Sequence, residues 1–167
     1  MIRGVLVEGK VLIKDASAAS ELENKGYGTR INGVFTLNLI EATYLVDKGN
    51  LQVVNEEGEN LSFSELARIG AQMDRYFWPK LSVYTDLRQR GLKPRLFSDR
   101  LEFLVDKKVK EGEHRYLISI LFEGHRIGFT DIEFLIKRAL EARRKLVAAI
   151  MDKEGNISYY TIDKVTY

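Results

Sequence analysis

From Ile2 to Ile13 the apolar residues Val5, Val7, Val11 and Ile13 alternate with polar neighbours on either side of Gly9. That period of two predicts two half-buried strands joined as a hairpin. Ala16 to Lys25 reads as a helix, Gly26 and Gly28 flank Tyr27 as its stop and loop, and Val34 to Leu37 reads as a short strand. A second helix is more strongly marked. Leu39, Ala42, Leu45 and Val46 fall on one face, Asn38 can cap them, Glu41 completes a capping box, and Gly49 ends the run. Leu51 to Val54 is a strand, followed by an acidic turn from Glu56 to Asn60 around Gly58. Ser62 or Ser64 then opens a long helical pattern through Leu66, Ile69, Met73, Tyr76 and Phe77. It stops at Trp78-Pro79, because proline biases its predecessor away from helix. The spacing therefore predicts two small domains, 1–77 and 78–167.

The second half opens with a helix from Leu81 to Arg90 carrying Val83, Tyr84 and Leu87, and Gly91 closes it. The remainder reads strand, strand, strand, helix, strand, strand. Leu101 to Val105 is apolar with basic flanks, and Tyr116 to Phe122 is nearly continuous, the pattern of a strand buried on both faces. Thr130 is the expected cap of a helix running to about Lys145, with Ile132, Leu135, Ile136, Ala139 and Leu140 as its buried stripe. Lys137, Arg138, Arg143, Arg144 and Lys145 crowd its C-terminal half. Leu146 to Met151 and Ile157 to Ile162 are strands joined by the turn Asp152-Lys153-Glu154-Gly155-Asn156. The expected fold class is mixed α+β, with an antiparallel sheet plus helices in the first domain.

Composition narrows the chemistry. The 167 residues are 45% hydrophobic and 30% charged, a profile of folded globular protein. Cysteine is absent, which removes disulfides, thiolate metal sites and cysteine nucleophiles, and only two histidines remain. There is no Walker-type loop, no nucleophile elbow and no acidic pair with metal spacing, so neither metal nor cofactor is expected. The longest apolar runs are far short of the roughly 20 residues that cross a bilayer, and the N-terminus lacks a signal-peptide core, which predicts a cytoplasmic protein without membrane contact. A net charge of +2 makes any nucleic-acid contact depend on clustering of Lys and Arg. The basic helix end reads either as a solvated face or as a phosphate contact. His114, inside Glu111-Gly112-Glu113-His114-Arg115, reads either as a general base or as a surface residue.

Several runs then appear in a fixed order: Val83-Tyr84-Thr85-Asp86-Leu87-Arg88-Gln89-Arg90-Gly91, His114-Arg115-Tyr116-Leu117, Ala142-Arg143-Arg144-Lys145-Leu146-Val147, and Asp152-Lys153-Glu154-Gly155 with Tyr159-Tyr160. Together they resemble the C-terminal domain of archaeal tRNA-splicing endonucleases. Leu37 to Leu45 is similar to the start of a helix in that family's N-terminal domain. The resemblance implies a restriction-endonuclease-like second domain with a mixed central sheet, and a metal-independent cut at the bulge-helix-bulge sites of precursor tRNA. In that chemistry a tyrosine takes the proton of the attacking 2′-hydroxyl, a histidine protonates the leaving oxygen, and a lysine stabilises the charge on the phosphate. Carried onto this sequence, the three positions hold Asp106, Glu113 and Arg144. His114 and Lys145 each lie one residue late; on a strand one residue reverses the face, and at a helix end it turns the side chain by roughly 100°.

A structural subunit of the endonuclease, partnered by a catalytic subunit in a two-plus-two assembly on precursor tRNA, is therefore the expected role. Under it, Lys137, Arg138, Arg143 and Arg144 contact RNA, and Asp152, Lys153, Glu154 and Gly155 form a docking loop for a partner. Tyr159, Tyr160 and Val165 would lie on a strand that pairs with a second subunit. Two alternatives stay open. One is an active endonuclease that uses His114 and Lys145 with a further base. The other is a nucleic-acid-binding protein of nuclease-like fold outside splicing.

Overall fold

The chain reverses at Glu8 and Gly9, both at positive φ (49° and 78°), in the two-residue turn that suits the right-handed twist of paired strands. This turn joins β1 (Ile2–Val7) to β2 (Lys10–Ile13). The computed structural model describes residues 1–97 and 99–163. Its contacts divide the chain into two compact units, Met1–Leu81 and Ser82–Tyr167, each built of helices on a mixed sheet.

In the first unit α1 (Ala16–Asn24), β3 (Thr29–Ile31), β4 (Val34–Leu37), α2 (Leu39–Asp47), β5 (Leu51–Val54), β6 (Asn60–Leu61) and α3 (Phe63–Met73) follow in order. The sheet runs β3-β4-β2-β1-β5-β6. The expectation of a wholly antiparallel sheet is corrected here: β1 pairs parallel with β5, because α2 carries the chain back before β5 is laid down. Both capping boxes form, Asn38 with Glu41 and Ser62 with Glu65. Glu41 does more than cap. It is buried, accepts from the Asn38 N–H at 3.0 Å through one oxygen, and accepts from the Gly28 N–H at 2.7 Å through the other. The loop after α1 is thereby tied to the start of α2.

The long helix expected through Phe77 is two helices. α3 ends at Met73, Asp74 takes an extended conformation, and α4 (Phe77–Gln89) begins afresh. Asp74 accepts from the Tyr76 N–H at 2.9 Å and from Lys80 Nζ at 2.6 Å, organising the break. Pro79 lies in the first turn of α4, where a backbone N–H has no helical partner to lose, so it does not end a helix. Sequence punctuation placed the boundary after residue 77, whereas the contacts divide inside α4.

The second unit continues with β7 (Arg95–Leu96), β8 (Glu102–Val109), β9 (Gly112–Phe122), α5 (Phe129–Glu141), β10 (Lys145–Met151) and β11 (Ile157–Ile162). Its sheet runs β11-β10-β9-β8-β7, with β9 and β10 parallel and the other pairs antiparallel. Leu117, Ile118, Ser119 and Ile120 of β9 are all buried, as a central strand covered on both faces requires. α5 covers one face: Ala139 packs with Leu117 and Leu146, and Leu104, Leu135, Ile136 and Ile162 close around them. Leu140 stands outside that stripe, 57% exposed. Among the described residues no helix is long and apolar enough to cross a membrane.

The bounds of α5 differ from expectation at both ends. Gly128, not Thr130, is the N-cap, with Asp131 accepting from its N–H at 3.2 Å. At the other end the helix stops at Glu141. Arg143 turns left-handed (φ 56°), its N–H bonds Leu140 O at 3.0 Å, and the Arg144 N–H bonds Ala139 O at 2.8 Å. This is a Schellman ending with arginine where glycine is usual. Arg143, Arg144 and Lys145 are consequently not on the helix.

Candidate functional site

Pairing registers assign the chemistry-bearing residues to faces. Across β8 and β9, Asp106 stands opposite Arg115, Lys107 opposite His114 and Lys108 opposite Glu113. Across β9 and β10, Tyr116 stands opposite Lys145 and Leu117 opposite Leu146. Side chains alternate along a strand, so Glu102, Leu104, Asp106, Glu113, Arg115 and Leu117 share the face that α5 covers. Lys107, His114, Tyr116 and Lys145 share the opposite face.

On the α5 face, Asp106 is the centre of an ion cluster. The Schellman turn swings Arg144 inward, where its side chain is only 3% exposed. Its Nη1 donates to Asp106 Oδ1 at 2.7 Å and to Tyr116 O at 3.2 Å. Arg115 Nε lies 3.7 Å from the same carboxylate oxygen, and Arg95 Nη2 lies 3.5 Å from Oδ2. Both of these side chains are well exposed. A guanidinium keeps its proton in proteins, so Arg144 supplies charge and hydrogen bonds and performs no proton transfer. Arg95 and Arg115 were absent from the sequence-based candidates. Arg115 becomes visible only once the two-residue loop Lys110-Glu111 fixes the hairpin register.

Elsewhere on that face Arg138, on α5, forms an ion pair with the buried Glu102 of β8 and lies over the Phe134 ring at 5.6 Å. On the opposite face the His114 and Tyr116 rings are 6.1 Å apart, and Lys145 flanks Tyr116 from β10. His114 and Lys145 thus share a sheet face, the one away from Asp106 and Glu113.

The profile of the tRNA intron endonuclease N-terminal domain matches residues 2–67, and that of the catalytic C-terminal domain matches residues 77–159. A tRNA-splicing endonuclease of Pyrococcus horikoshii is 35% identical over 147 residues, 86% of this chain and 84% of the relative. The chain belongs to the tRNA intron endonuclease family. Another tRNA-splicing endonuclease, from Thermococcus gammatolerans, is 31% identical over the full length of both chains, and one from Methanococcus vannielii is 28% identical over 94% of this chain and 90% of the relative.

Within this member of the tRNA intron endonuclease family, the four residues expected as one basic RNA-contacting helix face are dispersed. Lys137 and Arg143 are exposed, Arg138 pairs with Glu102, and Arg144 is buried against Asp106. The cause is the early helix stop, which a left-handed arginine does not announce in sequence. The Asp152 turn is well formed. Asp152 Oδ1 accepts from the N–H groups of Asn156 at 2.8 Å and Glu154 at 2.9 Å, Oδ2 accepts from Asn156 Nδ2 at 3.0 Å, and Gly155 supplies positive φ. The hydrogen bonds from Asn156, backbone first, hold the Asp152 carboxyl below the usual carboxylate range. Asp152 is thus spent on the turn itself, and Lys153 and Glu154 are the side chains it presents to solvent.

β11 lies at the edge of its sheet, with Tyr160 57% exposed. Tyr159 points back to α4 and donates its hydroxyl to Asp86 Oδ2 at 2.6 Å. Burial first, then this bond, raises its pKa. Val165 lies outside the described residues.

Proposed function

We propose that this chain is a non-cleaving, RNA-positioning subunit of a cytoplasmic tRNA-splicing endonuclease, assembled two-plus-two with subunits that carry the tyrosine, histidine and lysine. The observation that carries this reading is the Arg144–Asp106 pair. At the position that the resemblance gives to the tyrosine there is a carboxylate locked by a buried guanidinium, and at the position given to the lysine is that guanidinium. A negative carboxylate there repels the phosphate it would have to serve, and a guanidinium engaged with it has no free charge to stabilise a transition state. In the same reading Lys153 and Glu154 meet a partner, and β11, the edge strand among the described residues, extends a neighbour's sheet. Incubating the purified chain with a bulge-helix-bulge precursor tRNA tests the proposal. Intact RNA is expected, with cleavage at both sites once a triad-bearing subunit is added. Cleavage by this chain alone would sink it.

A second reading has one observation in its favour. His114, Tyr116 and Lys145 share the other sheet face, and a displaced set of catalytic groups would need that proximity. His114→Ala separates the two readings: turnover of the assembled enzyme falls by about 100-fold or more if His114 transfers a proton, and stays within about twofold if it does not.

A further inference from the structure

Around Asp106, three guanidiniums meet one carboxylate. Arg144 alone donates a clear hydrogen bond, and its buried side chain keeps the carboxylate fixed. Arg95, at 3.5 Å, is at the outer limit of hydrogen bonding, and Arg115, at 3.7 Å, is beyond it. Asp106 therefore gathers these two cations without saturating them. Their side chains are 64% and 47% exposed, and each guanidinium has five N–H donors. Nearby Lys108 and Glu113 stand opposite each other and cancel, so the local excess stays positive.

We propose that Arg95 and Arg115, arranged by Asp106, form a phosphodiester-binding site that holds one backbone phosphate of the RNA without cleaving it. The inference rests on the RNA-positioning role above and assigns that role to residues. A phosphodiester offers two non-bridging oxygens that share one negative charge, and two forked donors can each engage one of them. The carboxylate at their base brings the forks together before the ligand arrives, lowering the ordering cost of binding. Guanidinium contacts to phosphate also fix register without reading sequence. That is what a subunit which positions an RNA for cleavage by another requires.

The test uses the full chain and a precursor tRNA carrying 2′-deoxyribose at both splice-site nucleotides, so that no attack on phosphate can occur and binding alone is read. Fluorescence anisotropy is measured across a salt series, at a temperature where circular dichroism shows every variant folded. Arg95→Ala with Arg115→Ala, both on exposed side chains, is expected to weaken binding about tenfold or more. The slope of log K against log salt should become shallower by about 1 for each lost phosphate contact. Asp106→Asn, which removes the charge that holds the two forks together, is expected to weaken binding several-fold. Wild-type affinity and slope in the double variant, or unchanged or tighter binding in Asp106→Asn, would overturn the proposal. So would a double variant that binds RNA normally and no longer co-elutes with a triad-bearing subunit, which would mark the cluster as a protein contact. Because this RNA cannot be cut, these outcomes are independent of whether the chain cleaves a natural substrate.

Discussion

Asp86 and Asp106, on opposite faces of the second unit's sheet, are almost equally accessible, with side chains 31% and 33% exposed. Each is held by an arginine. Asp86 bonds Arg90 Nε at 2.9 Å, one helical turn away, and accepts from the Tyr159 hydroxyl, over whose ring Arg90 lies at 5.0 Å. Asp106 bonds Arg144. The difference is in the cation: the Arg90 side chain is 57% exposed and that of Arg144 is 3% exposed. Losing Asp86 returns Arg90 to water. Losing Asp106 strands a charge inside the protein. What a carboxylate contributes is thus set less by its own exposure than by where its partner would be left.

The largest expected effect follows from that asymmetry. Asp106→Ala leaves Arg144 with little beyond the Tyr116 carbonyl, and should cost about 3 kcal/mol in denaturant unfolding, as for a buried ion pair broken from one side. Tyr159→Phe, which removes the hydroxyl bond to Asp86 on the other face, should cost only about 1 kcal/mol in the same measurement. Equal losses, or the reverse order, would break the comparison. A third carboxylate sharpens it. Among the described residues Asp152 has no cationic partner, and it depends on N–H donors in its own turn, so its carboxyl is lowered in the folded chain. Its contribution is fully present above the ordinary unfolded carboxylate value of about 4 and is lost as pH falls through the lower folded value. The melting-temperature gap between wild type and Asp152→Ala should be constant from neutrality to about pH 4 and close below it, by a small amount because the group is exposed.

How much of this was legible in the sequence depended on whether a local signal existed. Asn38 with Glu41 could be read directly, because a capping box is a property of four adjacent residues, whereas the start of α3 read equally as Ser62 or Ser64. Tyr116 to Phe122 declared itself through unbroken apolarity. The end of α5 did not, since a left-handed Arg143 has no glycine to mark it. That single hidden turn dissolved the expected basic helix and placed Arg144 in the core. The break at Asp74 was masked by apolar residues whose helical spacing continues across it, and Pro79 reads as a stop although it opens a helix. Of the ion cluster, Asp106 and Arg144 were visible as departures from the family's pattern. Arg95 and Arg115 depend on strand register, which composition does not reveal.

The crossover that carries the chain from β9 through α5 to β10 also sets an order of events. β8 and β9 are joined by a two-residue loop and can pair early, whereas parallel pairing of β9 with β10 must wait until the intervening helix has crossed the sheet. Asp106 and Arg144 are 38 residues apart, on either side of that step. The expectation is that the carboxylate is in place before its guanidinium arrives, with the ion pair forming on the native side of the folding barrier. Asp106→Ala should accelerate unfolding and leave the folding rate nearly unchanged.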